Sequence, residues 1–229
     1  MELYELLFAD QDLDELLLET SFDPDGPLYA ARARLWAGQY VDASTLAAGK
    51  GEPWSSFIVS AARMKAGQSA QRTLVYVADG DFETRARLWA WNALRKANIQ
   101  PSALQASDAL GVVLEVPFSA SSQDVLAAYA DGSSRFLGHA NNMIIRDKSD
   151  DFDPLIEDLL SQAQPLLKVP PAPRPRTVVP VGHVRVTALS AMGVHPILIP
   201  WSEFDPAGKY ADLFKAATAL LQKTTAKKP

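Results

Sequence analysis

Apolar positions along the first third of the chain recur every three to four residues. They mark out helices over 2–20, 28–37, 41–48 and 54–66, with Pro24-Asp25-Gly26-Pro27 and Gly49-Lys50-Gly51 as breaks. The texture changes at Arg72. Thr73-Leu74-Val75-Tyr76-Val77-Ala78 is β-branched, aromatic and apolar, and it ends at Asp79-Gly80, which predicts a strand. A helix is expected over 81–98, with Asp81 as its cap. Phe82, Ala86, Trp89, Ala93 and Ala97 form one apolar stripe, and Leu88 and Trp91 lie across the cylinder. A helix apolar on two sides is expected to be sandwiched, here between the sheet and the N-terminal helices, making one body.

Beyond residue 110 the alternation becomes strand-like. Strands are predicted at 111–119, 124–130, 134–139 and 142–146, with Asp131-Gly132 and Ala140-Asn141 as turns. Asp153-Pro154 opens a helix with Ile156, Leu159, Leu160, Ala163 and Leu167 on one stripe. A five-proline loop spans 169–180, and strands at 182–189 and 194–199 form a hairpin. A final helix carries Tyr210, Leu213, Phe214, Ala217, Leu220 and Leu221. The fold class is therefore α+β: a helical N-terminal region (1–71) packed on a mixed, mostly antiparallel sheet with covering helices (72–222), then a disordered tail (223–229).

Gly111-Val112-Val113-Leu114-Glu115-Val116-Pro117, Val125 to Phe136 and Gly182-His183-Val184-Arg185 together resemble an uncharacterised group of bacterial proteins over roughly 72–221. The resemblance implies a bacterial source and a shared fold. It brings no activity or ligand with it.

Composition narrows the function classes. With no cysteine among 229 residues, disulfides, thiolate metal sites and cysteine nucleophiles are absent, which fits a reducing, cytoplasmic compartment. No apolar stretch reaches membrane-spanning length. The net charge of −5 and the lack of a basic cluster argue against nucleic acid as a partner. The negative charge is concentrated in residues 1–27, which hold nine acidic side chains and no Lys or Arg. Asp10, Asp12, Asp14 and Glu15 there could draw a basic partner.

Candidate chemistry is sparse. Asp79-Gly80-Asp81 after a strand imitates the paired aspartates of haloacid-dehalogenase-type phosphatases, with Ser119, Lys148 and Asp150-Asp151 later in the right order. Those enzymes, however, need a parallel sheet and a different residue at Glu83. His139, His183 and His195 have no metal-ligand spacing, so no metal or cofactor is expected. Strand alternation places His183 and Arg185 on one face, and Arg135 and His139 on one face. If those faces adjoin, they form a cationic patch for a carboxylate or phosphate. Pro170-Pro171-Ala172-Pro173-Arg174-Pro175-Arg176 reads as a stiff loop rather than a peptide-recognition ligand. The leading expectation is a non-enzymatic protein-interaction or adaptor module, with a protein partner or a second copy of the chain. The alternatives are a small-anion sensor and then a metal-dependent phosphohydrolase at Asp79 and Asp81.

Overall fold

A computed structural model describes residues 4–140 and 142–226. Asn141, part of an expected turn, lies outside the described residues, as do the first residues of the expected 2–20 helix and the last three of the expected tail. The chain forms an α+β fold with helices N-terminal to the sheet. It divides into two compact units, residues 9–100 and residues 101–226 together with 4–8.

The first unit is helical: α1 (Leu13–Glu19), α2 (Pro27–Trp36), α3 (Tyr40–Ala47), α4 (Trp54–Lys65), α5 (Gln71–Asp79) and α6 (Thr84–Lys96). The expected 2–20 helix is broken. A 3-10 turn at Glu5–Leu7 ends before Ala9, whose φ of 49° lies in the left-handed region, and α1 starts only after Asp12 and Glu15 close a capping box.

The expected strand at 73–78 is α5 instead. Leu74, Val77 and Ala78 are buried at the i, i+3, i+4 spacing of a helix, while Tyr76 points outward and meets Phe82 edge-on at 5.4 Å. Tertiary context overrides β-propensity here. Among the described residues of 9–100 there is no strand for this segment to pair with, so an extended backbone would leave its N–H and C=O groups unpaired. α6 is buried almost all round. Trp89 Nε1 donates to Gln11 Oε1 at 2.8 Å, and Asn92 Nδ2 donates to the Asp10 and Gln11 carbonyls. The cap also differs from expectation, because α6 begins at Thr84 with Glu83 as N-cap and Asp81 lies outside the helix. Asp81→Ala should therefore shift stability by less than about 0.5 kcal/mol. A thermal-melt loss of about 1 kcal/mol or more would restore the capping role.

In the second unit a short α7 (Ala103–Ala106) leads into β1 (Gly111–Pro117), β2 (Gln123–Tyr129), β3 (Ser134–Leu137) and β4 (Met143–Arg146). These are followed by α8 (Asp153–Ala163), β5 (His183–Ser190), β6 (Gly193–Pro200) and α9 (Ala211–Thr225). The strands form one sheet in the order β4-β3-β2-β1-β5-β6, and every pairing is antiparallel. Alternation splits the sheet's side chains between two faces. Val112, Leu114, Leu126, Ala128, Val184, Val186 and Ala188 pack with Ile156, Leu159 and Ala163 of α8 and Leu213, Ala217 and Leu220 of α9. The first residues of the expected disordered tail are helical instead, because α9 runs to Thr225. Arg146 holds its end by donating to the Thr224 carbonyl at 2.9 and 3.1 Å.

The opposite face carries Val113, Glu115, Val125, Ala127, Arg135, Arg185 and Thr187 in cross-strand rows. Two straps cover it. Residues 4–8 dock through Tyr4, Leu7 and Phe8, and Tyr129 Oη donates to the Leu7 carbonyl at 2.7 Å. The proline-rich segment is non-regular as expected. Arg174 is buried within it, and the Pro175 and Thr177 carbonyls accept from Arg185.

Candidate functional site

Of the four expected anion ligands, Arg135, His183 and Arg185 share a sheet face and His139 lies beyond the end of β3, but Arg135 and Arg185 do not meet. β2 and β1 lie between β3, with Arg135, and β5, with Arg185, a lateral separation of about 14 Å at three strand spacings. Arg135 donates to the Ser134 and Arg146 carbonyls at 2.9 and 3.0 Å. Arg185 is buried and bound to Glu115 Oε1 at 2.9 Å. His183 is half-buried, with Nδ1 unpartnered among the described residues. His195 is structural, contacting Ser190 Oγ through Nε2 and the Val169 carbonyl through Nδ1. Asp79 ends a helix rather than a strand, so the setting on which the phosphohydrolase reading depends is absent. Two of the acidic residues at the start of α1 stay half-exposed but have lysine partners in their own unit: Asp14 pairs with Lys65 at 2.6 Å, and the N-cap residue Asp12 pairs with Lys96. Among the described residues no three His, Cys, Asp or Glu side chains are placed to hold a metal ion, and no helix is long and apolar enough to cross a membrane.

The straps build a charged network on β1 and β5. Glu115 is fully buried, and its Oε1 accepts from Tyr4 Oη at 2.5 Å, Arg185 at 2.9 Å and Gln123 Nε2 at 3.1 Å. Burial pushes the Glu115 carboxyl above its usual range, and the Tyr4 phenol, Arg185 and Gln123 pull partly back. Burial also raises the Tyr4 phenol, followed by the Glu115 charge, so Tyr4 remains a donor. Arg174, with no side-chain exposure, binds Glu5, donates to Tyr4 Oη at 3.3 Å and lies 3.8 Å over the Phe8 ring.

Beside this network, where β1 and β2 turn, is a cleft of about 290 Å³ lined by Tyr4, Glu5, Ser121, Ser122, His139 and Arg176. Among the described residues, Arg174 and Arg185 here pair with Glu5 and Glu115, Arg176 stands near Glu5, and a third carboxylate, Asp124, holds His139. Arg176, 66% exposed, has a 3.7 Å contact with Glu5 and is the solvent-facing cation of the cleft. His139 stands on the other side. Asp124 Oδ1 accepts from its main-chain N–H and from Nδ1, each at 2.7 Å, while Phe118 stacks on the imidazole at 3.7 Å with the planes 2° apart. Nδ1 is thus engaged, and Nε2 has no partner among the described residues. A neutral imidazole held this way offers a lone pair at Nε2, and a protonated one offers a donor.

A larger hollow of about 400 Å³, lined by Asp108, Lys148, Asp153 and Glu157 among others, has no ion pair between its lining residues. The smaller cleft has the more developed chemistry. Of its residues the sequence pointed to His139 alone. Asp124 was legible in principle, since Gln123 and Asp124 open the strand that pairs with the one His139 follows. Arg176 and Tyr4 were not, because only the docking of two distant straps brings them together.

Comparison of the chain with protein-family models, with curated proteins and with solved structures returned no match, so the reading of this cleft stands on its geometry alone.

Proposed function

We propose that the sheet unit binds a small organic or inorganic anion in the cleft between Arg176 and His139. The exposed, loosely held guanidinium of Arg176 carries this reading. Arg176 faces a concave site while the neighbouring carboxylates are already engaged by buried arginines. His139 supports it, because Asp124 orients the ring and a proton gained at Nε2 adds a second donor to the same space. The protein-interaction reading is weaker, since Asp12 and Asp14 have intramolecular lysine partners.

Calorimetric titration with inorganic phosphate and with acetate tests the proposal. Arg176→Gln should weaken binding about tenfold or more, as expected for loss of a charge-assisted pair. His139→Gln should weaken it less. Equal affinity in wild type and Arg176→Gln, or no binding of either probe, would overturn it.

A further inference from the structure

We infer that His139 is a phosphoryl acceptor: its Nε2, with the ring oriented by Asp124, takes a phosphoryl group from a small activated donor while Arg176 holds the phosphoryl oxygens. This rests on the anion-binding reading and adds to it a covalent use of the bound anion.

Three features converge on this chemistry. The first is a positioned nucleophile. Asp124 Oδ1 takes both the main-chain N–H and Nδ1 of His139, each at 2.7 Å, so in the neutral imidazole the ring proton sits on Nδ1 and the lone pair on Nε2. A nitrogen activated through a carboxylate on the other side of its ring is a nucleophile ready for covalent chemistry. Phe118 lies flat on one ring face, with the planes 2° apart, and helps to fix the ring plane. The second feature is access. The His139 side chain is 38% exposed and lines the cleft, and its Nε2 has no partner among the described residues. The other two histidines do not line it: His195 is buried with both ring nitrogens engaged, and His183 keeps a buried Nδ1. The third feature is charge. Arg176 lines the same cleft, and Glu5, the acidic side chain of the lining, is bound by buried Arg174. A guanidinium donates to phosphoryl oxygens and stabilises the charge spread over them during transfer. A volume of about 290 Å³ suits a donor of a few heavy atoms and is small for a nucleotide.

The donor class is a phosphoramidate or an acyl phosphate. The Nε2 lone pair attacks phosphorus, the Nε2–P bond forms as the bond to the leaving group breaks, and the leaving group keeps that electron pair. No atom changes oxidation state. The ring becomes cationic, retains its Nδ1 proton toward Asp124 and is neutralised by that carboxylate.

The test incubates the full chain with potassium phosphoramidate. Intact mass follows the reaction, fragment masses give the residue, and phosphorus NMR gives the ring nitrogen. One phosphoryl group should enter, on Nε2 of His139, about tenfold or more faster than into the histidines of the same chain unfolded in urea. His139→Gln should abolish the label, and Arg176→Gln should slow its entry about tenfold or more. Asp124→Ala should free Nδ1 and spread the label over both ring nitrogens, a change in product that a purely structural role for Asp124 does not produce. Thermal melts of the same samples check that each variant is folded. A label on another histidine, a rate no greater than that of the unfolded chain, a rate indifferent to Arg176→Gln, or a product still confined to Nε2 in Asp124→Ala overturns the inference. If inorganic phosphate or acetate binds in the titration above while His139 takes no label, the phosphoryl-acceptor inference fails and the anion site stands. If neither anion binds and no label enters, both fail.

Discussion

Arg185→Ala should lower the stability of the sheet unit by about 3 to 5 kcal/mol, because it leaves Glu115 buried without its guanidinium partner. Glu115→Ala should cost a similar amount for the converse reason. The double replacement Glu115→Leu with Arg185→Met should cost clearly less than the sum of the two, since neither charge is then stranded. Urea unfolding of the four proteins measures this, and strict additivity would show that the pair is not energetically coupled. The acid side gives a further sign. A carboxyl whose folded pKa is raised contributes stability fully below its unfolded value of about 4.3, and loses it as the pH climbs through the folded value. Arg185 opposes that rise, so its removal should make the decline steeper. The Arg185→Ala deficit should therefore shrink on acidification and grow toward neutrality. A pH-independent deficit would contradict this.

Glu115 also illustrates what could and could not be read from the chain. Its strand was evident from Val112, Leu114 and Val116 alternating with residues of the other face, and the same regularity located the other five strands and α8 and α9 to within a few residues. Alternation gives a residue's face but not the neighbour of its strand. Arg135 and Arg185 share a face, yet β1 and β2 lie between them. The failure at residues 73–78 has a different origin. Leu74, Val77 and Ala78 satisfy a helical stripe as well as a short strand, and only the surrounding structure decides between the two. The candidate site was the least legible part, since Tyr4, Glu115 and Arg174 are far apart in sequence and converge only when both straps are docked.

Arg174→Ala is the second substitution with a large expected effect, at about 2 to 4 kcal/mol. This is below the Arg185 value because Glu5 keeps some exposure, at 19% of its side chain, and retains Arg176 within 3.7 Å. Loss of the guanidinium removes the ion pair to Glu5, the hydrogen bond to Tyr4 and the cover over Phe8 together, so residues 4–8 should loosen first. Hydrogen exchange should therefore accelerate at the amides of 4–8 while those of 112–114 and 126–128 stay protected. Arg174→Lys should recover only part of the loss, because an ammonium supplies the charge but neither the planar fork nor the flat contact with the ring. A lysine variant as stable as wild type would reduce the role of this residue to simple charge.

The docking of residues 4–8 on β1 and β2 constrains the order in which the molecule can be completed. Tyr4 and Arg174 are 170 positions apart, and Tyr129 reaches Leu7 across 122. The helical unit, by contrast, is built from helices that pack against their sequence neighbours, so most of its ring closures are short. On a ribosome, residues 9–100 can therefore collapse while the sheet strands are still unmade. Residues 4–8, synthesised ahead of them, have nowhere to bind until β1 and β2 have emerged, and Arg174 can close over Tyr4 and Phe8 only later still. The interval leaves Leu7 and Phe8, both buried in the finished fold, open to solvent and to other chains. A late step of assembly is thus the capture of a segment made before the helices, and a bulky group placed just before residue 4 should slow that capture more than it disturbs the helices.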